Sequence, residues 1–228
     1  AQFAPGLAQQ DQGHALDHPQ GPVVSARQFE LEAEIIGEFT RRRGRMAYEP
    51  IIGSGRNACV LHYLENESEC RAGELVLLDV GAAYANYNAD LTRTWPVSGR
   101  FTTRQRAVYD AVLRVMKDSI ARATVGTTPR EWKRAAQVQM AQELVGLGLI
   151  TKDEAAADSP DEPACRKYFM HGLGHSLGLG VHDISPVDGP FAPGWVLTVE
   201  PGIYIPEESL AVRLENDILV TESGPGDL

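Results

Sequence analysis

A carboxylate inside an apolar run constrains this chain more than any other feature. Residues 75–81 read Leu-Val-Leu-Leu-Asp-Val-Gly, a composition suited to a buried strand. On a strand, Asp79 shares one face with Leu75 and Leu77, while Val76, Leu78 and Val80 take the other. Burying an unpaired charge is costly, so the fold has to bring Asp79 a partner. Four more apolar segments carry polar or charged residues: Val60-Leu61-His62-Tyr63, the string from His171 to Asp183, Val196–Tyr204 around Glu200, and Val212–Val220 with Arg213, Glu215 and Asp217.

Asp90 follows Asp79 by 11 residues, and two strands joined by a turn would set them side by side. Facing carboxylates repel, and a cation between them removes that penalty. Either aspartate alone also reads as a turn residue or an ion pair. Segment 171–183 holds three of the six histidines, with glycines at 172, 174, 178 and 180 that argue against a regular helix. Imidazole serves as a metal ligand or a near-neutral acid–base group. Sequence chemistry alone does not say whether His175 or His182 binds metal. Read alone, Arg213, Glu215 and Asp217 also fit a solvated strand face. A set of carboxylates with one imidazole suits hard or borderline divalent ions such as Mn²⁺. Four carboxylates are too many for one catalytic zinc and suit two metals roughly 3.5–4 Å apart.

Around these segments the chain alternates irregularly between helical and strand patterns, which favours an α+β fold. Residues 1–24 lack periodicity and read as a weakly structured arm, leaving 25–228 as a single domain. Ser25-x-x-Gln28 fits a capping box opening a helix whose broad apolar face is Phe29, Leu31, Ala33, Ile35, Ile36 and Phe39, with Gly44 as its stop. Residues 84–95 read as the return partner of strand 75–81. Thr102-x-x-Gln105 and Thr128-Pro129-Arg130-Glu131 predict two more helix starts, with core stripes at Val108, Val112, Val115 and Ile120 and at Trp132, Ala136, Met140 and Leu144. Gly148 stops the second of these, the acidic stretch 151–163 reads as a surface loop, and strands follow from Tyr168.

The formal charge of −10 argues against a nucleic-acid partner, and no apolar run is long enough to span a membrane. Three cysteines without a C-x-x-C point to a reducing compartment, the cytoplasm, with a Cys59–Cys70 bridge left open. No secretory signal is visible.

Taken together, Gly53-Ser54-Gly55-x-Asn57 with His62-Tyr63, the Asp79/Asp90 spacing, the His171–Asp183 string, Thr198-Val199-Glu200-Pro201-Gly202 and Arg213-Leu214-Glu215-Asn216-Asp217 resemble the pita-bread metallopeptidases, specifically the aminopeptidase P and prolidase branch. The resemblance runs from about residue 26 to 223. It implies a curved antiparallel sheet flanked by helices, and hydrolysis of the Xaa-Pro bond at the N-terminus of peptides by a water held between two divalent metals. Mn²⁺ leads, with Co²⁺, Zn²⁺ and Fe²⁺ as alternatives. It implies Asp79 as a terminal ligand, Asp90 and Glu215 as bridges, and His175 and Glu200 on the second metal, with Glu200 also the general base. His62, His171 and His182 would line the substrate pocket, and Arg213 would orient a bridging carboxylate. The partner is a proline-containing peptide, and a homo-oligomer is compatible with this reading. A dipeptidase (prolidase) is the alternative, and a catalytically inactive binding domain of the same fold is a third reading that the intact ligand set disfavours. Most such proteins carry a separate domain ahead of the catalytic one, for which 228 residues leave no room.

Overall fold

Helix α1 (Gln28–Arg41) opens the part of the chain that a computed structural model describes, residues 26–184 and 189–228. The expected arm at 1–24 and Ser25 lie outside the described residues. The helix starts two residues later than a cap at Ser25 would place it. Arg27 is its N-cap residue, and the Arg27 backbone N–H donates to Glu30 Oε2 at 2.7 Å. The expected broad apolar face is not buried: Phe29 and Ile36 are exposed, and Leu31 and Ile35 alone of that set pack on the Ile52–Cys70–Val76 cluster. The anchor is polar instead. Gln28 is fully buried, and its Oε1 accepts from Tyr63 Oη (3.0 Å) and the Ser68 N–H (2.9 Å). The left-handed residue after the helix is Arg43 (φ 64°), one ahead of Gly44.

Strands β1 (Arg45–Met46) and β2 (Ile51–Ser54) follow, then a 3₁₀ turn at Gly55–Cys59, β3 (Leu75–Val80), β4 (Ala82–Tyr84), β5 (Tyr87–Asn88) and β6 (Leu91–Pro96). The predicted strand at 75–81 is β3. Its partner is β6 rather than the whole of 84–95, in a register that sets Asp79 opposite Thr92. Residues 82–88 instead form a hairpin against β1. Asp90 therefore sits just ahead of β6, not within the pairing.

Three helices come next: α2 (Thr103–Arg122), α3 (Pro129–Gly146) and the short α4 (Lys152–Ala156). Thr102 and Thr128 cap α2 and α3 as their sequences predict, and Gly148 (φ 70°) follows the end of α3. Helix α4 replaces part of the expected loop at 151–163. Its cause is another capping box, in which Thr151 Oγ1 accepts from the Glu154 N–H at 3.1 Å. The chain finishes with β7 (Val196–Val199), β8 (Gly202–Ile205), β9 (Leu210–Arg213), β10 (Asn216–Thr221) and β11 (Gly224–Asp227).

Every strand pair is antiparallel, in sheets ordered β2-β3-β6, β11-β10-β7, β8-β9 and β1-β4-β5. The core stripes of α2 and α3 pack with Val199, Ile203, Val212 and Ile218, and Ile120 is only partly buried. Trp132 Nε1 donates to the Ser119 carbonyl at 2.7 Å, which satisfies the one polar atom of that ring. The N-terminal and C-terminal sheets meet at β6. Thr94 Oγ1 donates to the Arg213 carbonyl (2.9 Å), and the Glu215 N–H donates to the Thr92 carbonyl (3.1 Å). That seam brings Asp79 and Asp90 to Arg213 and Glu215.

Candidate metal centre

The carboxylates are placed by interruptions in the strands. Pro201 lacks an N–H, so pairing stops between β7 and β8 and Glu200 falls at the break. Glu215 sits between β9 and β10, and Asp79 is near the end of β3. His175 comes from the Gly-rich string, which has no regular helix or strand. Its N–H donates to Thr198 Oγ1 (3.0 Å). Gly174 permits this contact, because a Cβ there would lie 2.0 Å from the Thr198 carbonyl oxygen.

Asp79, Asp90, Glu200, Glu215, His171, His175, His62, His182 and Arg213 all line one cavity of about 110 Å³. The nine site residues that the resemblance implied are therefore brought together. Asp90, His175 and Glu215 offer ligand atoms within 4.8 Å of one another. His175 Nε2 lies 3.5 Å from Asp90 Oδ2 and 3.6 Å from Glu200 Oε1. The Nδ1–H of His175 points to the Ser176 carbonyl (3.1 Å), so Nε2 is the nitrogen that faces the carboxylates. His182 stacks edge-on to His175 at 4.2 Å between ring centroids, and both His182 and His62 are exposed.

Several groups that hold this arrangement were not identified from the sequence. Tyr48 Oη lies 2.6 Å from Asp79 Oδ1 and 2.5 Å from Asp90 Oδ1. Gly81 leaves room for the Tyr48 ring, since a Cβ there would come within 2.6 Å of it. No periodic pattern surrounds Tyr48, so the sequence carries no signal for it. Thr92 Oγ1 donates to Glu215 Oε2 (2.5 Å), and Tyr204 Oη meets His171 Nε2 (2.9 Å). The alternative of a solvated strand for 212–220 fails, because Arg213 and Glu215 are buried. Arg213 binds Asp79 Oδ2, Tyr204 Oη (2.9 Å) and Thr92 Oγ1 (3.1 Å), using the whole guanidinium fork.

Burial and the neighbouring carboxylates push Glu200 up to about 7 against His175 and Arg213, and raise Glu215 well above the usual glutamate range. Burial also raises Asp79, though Arg213 opposes it, and pushes Asp217 to about 7. His171 is depressed to about 4 by burial and the Arg213 charge, so it is neutral at pH 7. It accepts from Tyr204 Oη at Nε2 while Nδ1 meets the Gly172 carbonyl (2.7 Å). His175 is raised: burial opposes this, but Asp90, the Ser176 carbonyl and Glu200 outweigh it.

Four carboxylates thus share a small cavity whose lining holds one permanent cation, Arg213. Without added cations, Asp79, Glu200 and Glu215 hold their protons to higher pH than ordinary carboxylates do, and divalent ions would displace those protons. The donor set fits such ions. A pH dependence follows for chelator-treated protein. A carboxylate with a raised folded pKa binds protons more tightly folded than unfolded, so it favours folding at low pH and loses that benefit as pH rises. For Glu200 the window runs from the ordinary 4.5 to about 7. Glu215, Asp79 and Asp217 act in the same direction, while His171 and His182, both depressed, oppose them. Melting curves of chelated protein should therefore shift upward between about pH 7.5 and 5.5. Saturating divalent metal should shift them up more at the higher pH. A chelated protein that melts lower at the acidic end contradicts this account.

The sequence matches the model of Metallopeptidase family M24 over residues 15–222. It is 43% identical over 216 residues to a Xaa-Pro aminopeptidase of Escherichia coli (strain K12), covering 88% of this chain and 48% of that protein. Against Xaa-Pro aminopeptidase 3 of Homo sapiens the identity is 39%, over 81% of this chain and 38% of the relative. The fold superposes on proline aminopeptidase P II from Yersinia pestis with a TM-score of 0.84 at 42% identity, covering 89% of this chain and 49% of that one. Zn-substituted Escherichia coli aminopeptidase P in complex with product gives 0.83 at 41%, covering 89% and 48%. The chain spans about half the length of the bacterial relatives it matches. The expected pita-bread architecture is that of these neighbours. Among the described residues, no helix is long and apolar enough to cross a membrane.

Proposed function

The chain belongs to metallopeptidase family M24, and on that premise we propose that residues 25–228 form the catalytic domain of a metal-dependent exopeptidase that hydrolyses the Xaa-Pro bond at the N-terminus of peptides. One observation carries this reading: Asp79, Asp90, His175, Glu200 and Glu215 converge in one cleft that His62, His171 and His182 also line. Asp79 would hold one ion, His175 and Glu200 the other, and Asp90 and Glu215 would be shared. Mn²⁺ is the proposed native metal, and two such ions would supply the Lewis acidity that activates water and polarises a peptide carbonyl.

The chain's own residues do the rest. Glu200 takes the proton of the attacking water, and burial among carboxylates gives it the basicity for that role. Neutral His171, fixed by Tyr204 and Gly172, presents a rigid wall to the substrate. His182 and His62, more open to solvent, can donate to the scissile carbonyl oxygen as charge develops there. Tyr48 and Arg213 hold Asp79 in place from two sides. The three cysteines are free, which suits the reducing cytoplasm proposed as its location.

The test loads purified protein with Mn²⁺ and compares a Xaa-Pro-Pro tripeptide with Gly-Pro. Release of the first residue from the tripeptide, with about two ions per chain by elemental analysis, is the expected result. Cleavage of the dipeptide alone would make it a dipeptidase. Cleavage of neither, with metal bound, would reject the reading.

A further inference from the structure

Two cavities adjoin the carboxylate cleft through different histidines, and their charges are opposite. One, of about 470 Å³, shares His62, His182, Asp79 and Asp90 with the cleft and adds Glu49. The other, of about 300 Å³, shares His171. It runs past Met170 to Lys133 and Gln137, one turn apart on α3, and to Arg166. Lys133 and Arg166 are exposed, and neither makes an ion pair or side-chain hydrogen bond among the described residues. Asp161 is the single carboxylate of that lining. The wall between cleft and cavity is fixed, because His171 is held by Gly172, Tyr204 and the edge of Phe169, with ring centroids 4.9 Å apart.

A peptide has an ammonium at one end and a carboxylate at the other. Glu49, the carboxylate of the first lining that is not a proposed metal ligand, suits the first, while Lys133 and Arg166 repel it and suit the second. We propose that the cavity beside His171 receives the residues downstream of the scissile bond, and that Lys133 and Arg166 recognise a carboxylate there. This rests on the peptidase reading above. It makes the chain a selector of short peptides with a free C-terminus, or of longer ones with an acidic residue at that point.

The experiment compares three Mn²⁺-loaded substrates of equal length: Ala-Pro-Ala-Ala as the free acid, the same peptide as its C-terminal amide, and an amide with Glu in the third position. The double variant Lys133→Gln/Arg166→Gln is measured beside the unaltered chain. Exposed charge pairs are individually weak, so the free acid should have a KM about three- to tenfold below the amide. The double variant should erase that difference, with the change falling on KM rather than kcat, and about 0.5 M salt should shrink it in the unaltered chain. A low KM for the Glu-containing amide assigns the recognition to a side-chain carboxylate, and a low KM for the free acid alone assigns it to the chain end. Equal KM values for all three peptides, or a preference that survives in the double variant, overturn the proposal. Calorimetric titration with Pro-Ala and its amide gives a readout without turnover. If no peptide is cleaved but the acid binds more tightly in a Lys133/Arg166-dependent way, the peptidase reading fails and this site stands. If binding shows no such dependence, the site falls.

Discussion

Glu200→Gln should lower kcat on a Xaa-Pro peptide by about 10²–10⁴-fold, the range expected when a general base is lost. The substitution keeps an oxygen at the β7–β8 break, so Thr198 Oγ1, 3.4 Å from Glu200 Oε1, retains an acceptor. The fold should survive, and the effect should fall on kcat. In the unaltered enzyme, bound cations will pull the Glu200 pKa down from about 7, so the acidic limb of the rate profile should lie below neutrality and disappear in the variant. The measurement is kcat against pH for both proteins, with metal content determined on the same samples. Turnover within tenfold of the unaltered enzyme would remove Glu200 from proton transfer.

Arg213→Met should cost the chelated protein about 3–5 kcal/mol, as expected when one partner of a buried ion pair is removed. For a chain of this size that is a fall in Tm of roughly 10 °C. The cause is specific. Arg213 is 4% exposed and makes hydrogen bonds to Asp79, Tyr204 and Thr92 at once, so its loss leaves the half-buried Asp79 carboxylate without its cation and takes one donor each from buried Tyr204 and Thr92. Arg213→Lys keeps the charge but cannot reach three partners with one ammonium, and should lie between the two. Denaturant unfolding of all three proteins reads this directly. A loss below about 1 kcal/mol in Arg213→Met would mean that the pair contributes no more than an exposed one.

Sequence reading went furthest where the interactions are local. The capping boxes at Thr102 and Thr128 join residues three apart, so they were legible without the rest of the molecule. The same rule applied to Thr151-x-x-Glu154 would have found α4. The ligand candidates were legible because a charged side chain inside an apolar run needs a partner wherever the chain goes. Their grouping was expected from the pattern and the family likeness, and one cavity does hold them all.

Distant contacts decided the rest. Alternation in Val212–Val220 says that Arg213 and Glu215 share a face, but not whether water or protein covers it. Thr92 and Thr94, some 120 positions earlier, cover it. The face of α1 went the other way: Phe29 and Ile36 follow helical spacing yet stay exposed, because the sheet reaches only Leu31 and Ile35. Tyr48 has no sequence signature, because its role depends on two aspartates 31 and 42 residues away that face each other only after β3 and the 82–90 turn are built. The sequence by itself determined which elements form and which side chains cannot be left alone, since those depend on residue type and neighbours a few positions away. The tertiary structure decided which partner each one meets, since that depends on strand register and on the seam between two sheets that no local interaction encodes.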